Sequence, residues 1–248
     1  MSVTIRPLCV GRVSVDKSLL TYLRNMGTVV TIPHVVWLIE GAPEKILVDT
    51  GPPSPEEASR YGFTLERSPD EDPIRALAAV GVTPEDIGVV ILSHLHWDHA
   101  SNNHLFPRAR ILVQREELRY AIAPLPTGLR GYGAPTCGMR PHYLGMPLTT
   151  VQGDKELCHG ISLLFTPGHT PGSQSVVVTT ESGNYVIASD TVPTFENWRG
   201  YPPLIPHHPG GIHVDLTQCF ASFDKIEAAA DFVLPGHDMA VFEREVYP

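Results

Sequence analysis

The segment Ser93-His94-Leu95-His96-Trp97-Asp98-His99 brings three histidines and one aspartate into six consecutive positions. It directly follows Gly88 to Ser93 (GVVILS), an apolar run of the buried-strand type. Imidazole nitrogen and carboxylate oxygen are the ligands that zinc and similar divalent metals take. A tight loop at a strand end lets all four side chains converge on one point. Two further histidines stand in matching surroundings. His169 lies in Thr166-Pro167-Gly168-His169-Thr170-Pro171-Gly172, and His237 in Leu234-Pro235-Gly236-His237-Asp238. Asp190 ends another apolar run, Ile187-Ala188-Ser189. An unpaired carboxylate there is costly unless a cation or several donors meet it. Four strand ends, each delivering a ligand type, point to a metal centre.

These residues need strands that end together. Val29 to Glu40 (VVTIPHVVWLIE) and Lys45 to Thr50 (KILVDT) read as two strands joined by the turn Gly41-Ala42-Pro43-Glu44. Asp72 as N-cap and Pro73 at the first helical position start a helix that ends at Gly81. Thr83-Pro84-Glu85-Asp86 repeats that start signal for a short turn. Further strands are expected at Arg110 to Gln114, Ile161 to Thr166, Gln174 to Thr179, Asn184 to Ser189 and Asp231 to Leu234. Helices are expected at Arg115 to Ile122 and Leu216 to Ala230. The alternation of helices and strands predicts an α/β protein. Two stretches rich in Pro and Gly, Ala123 to Thr150 and Phe195 to Gly211, read as irregular binding loops. No linker composition or internal repeat divides residues 1–248, so a single domain is expected.

The balance of 18 Lys+Arg against 27 Asp+Glu gives a net charge of -9. No basic stripe suggests a nucleic-acid partner. The expected partner is a small-molecule substrate, and a homodimer is compatible with the sequence. The four cysteines lie apart without CxxC spacing and read as reduced thiols. No secretory leader or run of ~20 apolar residues is found, so the expectation is a cytoplasmic protein without membrane contact.

HxHxDH followed by GH, D and GH resembles the metallo-β-lactamase superfamily, and within it the N-acyl homoserine lactone lactonase branch. The order His94/His96/Asp98/His99, His169, Asp190, His237 carries the resemblance, with Leu47-Val48-Asp49-Thr50-Gly51 matching the family's early strand. The resemblance implies an αββα sandwich of two mixed β-sheets flanked by helices. It implies two metal ions, most simply Zn2+, with manganese, iron or cobalt as alternatives. His94, His96 and His169 would hold one; Asp98, His99 and His237 the other; Asp190 would bridge them. Asp49 would orient a ligand imidazole. The other branches fit less well: Asp190 and the lack of an export signal depart from classical β-lactamases, and His96 departs from the iron flavodiiron branch.

The implied activity is hydrolysis of a lactone by a hydroxide shared between the metals, with Asp98 handing a proton to the leaving alkoxide. A thioesterase of the glyoxalase II type, or a cyclic-amide or small-ester hydrolase, would use the same centre. Acyl homoserine lactonases commonly carry a tyrosine three residues after the bridging aspartate; here that position is Pro193. His207, His208 and His213 are therefore candidates to assist the substrate carbonyl, with His213 taken as catalytic. Tyr22, Met26, Tyr132, Met139, Phe195 and Trp198 are candidates to line the substrate pocket, and Arg130, Arg140 and Arg199 would meet an anionic thioester.

Overall fold

The fold is described from a computed structural model, which covers residues 2–248. The first half of the chain gives β1 (Thr4–Asp16), β2 (Val29–Glu40), β3 (Lys45–Val48), α1 (Pro55–Ala58), β4 (Leu65–Glu66), α2 (Pro73–Ala79), β5 (Ile87–Ile91), α3 (Trp97–Ala100), β6 (Arg110–Gln114), α4 (Arg115–Ile122) and β7 (Leu148–Val151). The second half gives β8 (Lys155–Cys158), β9 (Ile161–Phe165), β10 (Gln174–Thr180), β11 (Gly183–Ser189), α5 (Phe195–Arg199), α6 (Leu216–Ala229) and β12 (Phe232–Pro235). One sheet has the order β4-β1-β2-β3-β5-β6-β7, and the other β12-β11-β10-β9-β8. Both are mixed: β3, β5, β6 and β7 pair in parallel after an antiparallel start, and β12 joins β11 in parallel.

The strand period of two sorts residues between layers. Along β2, Val35, Trp37 and Ile39 face the second sheet and pack with Leu163, Val176 and Ile187. Val36 and Leu38 face the other way and pack with Leu77 of α2. On the far side, Phe223 and Ile226 of α6 cover Val186 and Val233. The layers therefore run helix, sheet, sheet, helix, as the resemblance implied. The helix at Pro73 begins as predicted, with the Asp72 carboxylate accepting from the backbone N–H groups of Ile74 and Arg75.

The long β1 was not anticipated. Its apolar alternation is broken by Pro7 and by a bulge between Cys9 and Arg12 at Gly11 (φ 134°), which shifts the burial pattern midway. Three short edge strands also escaped notice, among them the two-residue β4 beside β1. β7 lies in the stretch read as irregular, and β8 pairs only with β9. Phe195 to Gly211 also contains the short helix α5.

Candidate metal centre

β3 and β5 run in parallel and deliver Asp49 and Ser93-His94 at one end. In the second sheet β9, β11 and β12 share one direction and deliver His169, Asp190 and His237. Three ring nitrogens converge there. His94 Nε2 lies 3.0 Å from His96 Nδ1, and His169 Nε2 lies 3.2 and 3.1 Å from these two atoms. Burial and the neighbouring imidazoles hold His94 well below the usual histidine range, and burial and His169 bring His96 down to about 3. Burial thus favours the neutral form of His94 and His96, and the three ring nitrogens converge on a common centre, the geometry of a cation site.

A second set adjoins it. Asp98 Oδ2 lies 3.5 Å from His99 Nε2 and 3.9 Å from His237 Nε2. Asp190 reaches both sets: Oδ1 is 3.2 Å from His99 Nε2 and 3.0 Å from His237 Nε2, while Oδ2 is 3.4 Å from His169 Nε2. Burial opposes ionisation of Asp190, but His237, His99 and His169 outweigh it and hold the carboxyl well below its usual range. Burial likewise opposes charge on His99 and His237, and Asp190 overrides it in both. Among the described residues, His99 Nε2 and Asp190 Oδ1 are buried without a hydrogen-bond partner. Orphaned polar atoms at a carboxylate–imidazole cluster fit a pair of divalent cations.

The Nδ1 atoms of His94, His99, His169 and His237 are held from behind. Asp49 Oδ2 accepts at 2.8 Å from both His99 Nδ1 and the Ser93 hydroxyl, and Oδ1 accepts from the Ser93 N–H at 2.7 Å. Ser93 Oγ in turn lies 3.0 Å from His94 Nδ1. His169 Nδ1 meets the Ile212 carbonyl, and His237 Nδ1 the Pro33 carbonyl, each at 2.9 Å. Such contacts fix tautomer and ring orientation. Glu117 on α4 adds a clamp unforeseen from the sequence. Its Oε1 accepts from the Leu95 N–H at 2.9 Å and the Tyr132 hydroxyl at 2.8 Å; its Oε2 accepts from the Thr170 hydroxyl at 2.6 Å. Leu95 sits between His94 and His96, and Thr170 follows His169.

The centre opens into a cleft of about 240 Å³. His96, Asp98, His169, Asp190 and His237 form its polar end, and Val13, Val15, Leu20, Ile32, Phe63 and Trp97 its apolar walls. None of the six aromatic and methionine residues expected as lining is there; Tyr132, for example, is buried against His96. Pro193 does line the cleft, as does Arg130, the only arginine of the three expected. His207, His208 and His213 do not. His207 Nδ1 contacts the Trp198 carbonyl, His208 Nε2 the Tyr22 carbonyl and His213 Nδ1 the Gly210 carbonyl. His207 and His213 are thus tied to carbonyls nearby in the chain and His208 to the Tyr22 carbonyl of another segment, and none of the three lines the cleft, where a carbonyl donor was expected. The cleft instead contains His34, a polar residue in the middle of apolar β2. That interruption was the signal in the sequence.

The metallo-beta-lactamase superfamily profile matches residues 30–237. The chain is 33% identical over 241 residues to the N-acyl homoserine lactonase AiiA of Bacillus thuringiensis subsp. kurstaki, covering 92% of this chain and 90% of that protein. A solved N-acyl homoserine lactone hydrolase, with N-hexanoyl-L-homoserine at its catalytic metal centre, superposes with a TM-score of 0.79 at 26% identity, covering 98% of this chain and 96% of the other. The dizinc quorum-quenching lactonase AidC shares the fold, with a TM-score of 0.71 at 18% identity over 96% of this chain and 88% of its own. With the His/Asp centre at the strand ends and this extent of agreement, the chain belongs to the metallo-beta-lactamase superfamily.

Proposed function

We propose that this chain, acting as one domain over residues 1–248, is a metal-dependent hydrolase that opens the ring of a lactone carrying an apolar substituent. The observation that carries the reading is the convergence of His94, His96, His169, Asp98, His99, Asp190 and His237 at the end of an apolar cleft. The relatives with lactonase names and a product-bound neighbour support it. His94, His96 and His169 would hold one divalent metal and Asp98, His99 and His237 the other, with Asp190 within reach of both sets. Two zinc ions suit this nitrogen-rich donor set. Bound there, such ions supply Lewis acidity and a water-derived nucleophile at neutral pH.

The chain's own residues do the rest. Asp49, Ser93 and Glu117 keep the ligand rings oriented. Asp98 is ionised: burial opposes this, but His99 beside it outweighs burial. Its other oxygen, Oδ1, would take up a proton during attack and return it to the leaving alkoxide. The walls from Val13 to Trp97 exclude water and receive the acyl substituent. At about 240 Å³ the cleft is small against the roughly 300–1,000 Å³ usual for ligand sites. Among the described residues Arg130 is the one Arg or Lys that lines it, which gives little to hold the phosphates of a coenzyme A thioester. The test is turnover of purified, metal-loaded protein on lactones of graded acyl length beside thioesters and cyclic amides. Lactones should lead by at least tenfold in kcat/KM. Faster thioester or cyclic-amide turnover would overturn the assignment.

A further inference from the structure

His34 has no role in the site as built so far, yet its environment is unusual. The residue is 2% exposed, and neither ring nitrogen has a hydrogen-bond partner among the described residues. A buried polar group left in that state is costly. It also borders the cleft at the polar end. Its Nδ1 lies 3.6 Å from Asp98 Oδ2, and its ring stands edge-on to that of His237, with centroids 5.4 Å apart at 88°. One donor atom each from His34, Asp98 and His237 falls within 4.8 Å of the others. Two donors sharing a zinc ion at about 2.0–2.2 Å stand no more than about 4.4 Å apart. The Asp98–His34 and Asp98–His237 separations of 3.6 and 3.9 Å are already inside that limit.

We infer that His34 is a further ligand of the metal held by Asp98, His99 and His237. This rests on the two-metal reading of the site. The backbone explains why the position suits the task. Pro33, immediately before it, accepts from His237 Nδ1, so the strand that carries His34 also fixes the facing ligand. With Asp190 included, this metal would see three imidazoles and two carboxylates. The other would keep His94, His96, His169 and Asp190. The two sites would therefore differ in donor number, and the richer one would favour ions that accept more than four ligands.

The test uses Co2+ added to metal-free protein. In the native chain two equivalents should bind. The proton spectrum of the cobalt form should show six hyperfine-shifted, exchangeable imidazole N–H resonances: the five of His94, His96, His99, His169 and His237, and one more. His34→Val suits the apolar strand; it should lose one resonance and weaken the second Co2+ by at least tenfold while the first is unchanged. His34→Gln, which keeps a neutral oxygen donor, should recover part of that affinity. Five resonances in the native protein, or unchanged binding of both ions in His34→Val, would overturn the inference and leave the two-metal reading intact. Binding of a single Co2+ by the native chain would overturn both.

Discussion

Removing the Glu117 carboxylate tests whether the metal site is held from behind as well as in front. Glu117 is fully buried, and burial raises its carboxyl above the usual range despite the bonds from Thr170, Leu95 and Tyr132. In Glu117→Ala, the Thr170 hydroxyl retains a partner in the Ser173 hydroxyl at 2.7 Å. The Leu95 N–H and the Tyr132 hydroxyl lose theirs. Two orphaned buried donors at ~1–3 kcal/mol each give about 2–6 kcal/mol. Loss of a buried charge offsets part of this, leaving about 2–4 kcal/mol. For a chain of this length that lowers the melting midpoint by roughly 5–15 °C. In Glu117→Gln the amide oxygen replaces Oε1 toward Leu95 and Tyr132. The amide nitrogen donates to Thr170 Oγ1, whose own proton turns to Ser173. That variant should lose about 1 kcal/mol or less. Because Leu95 and Thr170 adjoin three ligand histidines, the alanine variant should also bind metal ~10–100-fold more weakly. Calorimetric melts and metal titration of both variants decide the matter. An alanine variant that melts like the native protein, or a glutamine variant as damaged as alanine, would refute the clamp.

Asp190→Ala should abolish lactone turnover and reduce metal content below two per chain by elemental analysis; full activity would make Asp190 purely structural. Ile32→Asn, on the apolar wall, should raise KM for long-chain lactones at least tenfold while leaving short-chain turnover and metal content near native; an equal effect on both would deny the wall its selective role. Glu71 gives a pH prediction. Burial opposes its ionisation, but the Ser68 N–H, Cys9 and Arg12 outweigh this and lower its pKa from 4.5. A folded pKa below the unfolded one adds stability above the unfolded value, and that stability disappears as pH falls through the folded one. Glu71→Gln should therefore flatten the acid side of the stability–pH profile. An unchanged acid limb would show that Glu71 is not a source of acid sensitivity.

The ligand set was legible because its residue types are rare in such density and each follows an apolar strand: His94, His169, Asp190 and His237 all stand at ends the hydrophobic runs announce. The strands themselves were legible where alternation was clean, as along β2. β1 was hidden because Pro7 and the Gly11 bulge break its period, and β7 because four residues at a sheet edge leave little pattern. The walls of the cleft were illegible for a deeper reason. Val13, Val15 and Ile32 look like ordinary core residues, and only the juxtaposition of two strands with Phe63 and Trp97 turns them into a surface. Glu117 was hidden in the same way: at the start of a helix, between Glu116 and Leu118, it has the pattern of a solvated charge. The histidines of the 206–213 loop drew attention by type alone, and backbone carbonyls proved to be their partners.

The ligands emerge from strand ends and tight turns whose geometry is set by the inter-sheet core, whereas the cleft walls come from β1, β2, the Leu19–Leu20 turn and the 127–131 segment. Reactivity and selectivity therefore reside largely in different parts of the chain, meeting at His34 on β2 and at Trp97 between two ligands. Substitutions that reshape the wall can accumulate without moving a ligand, so a lineage built on this frame can change its preferred ring or acyl chain in small steps while retaining a working hydrolytic centre. Pro193, three residues after Asp190, lines the same wall and is one of the positions open to such change.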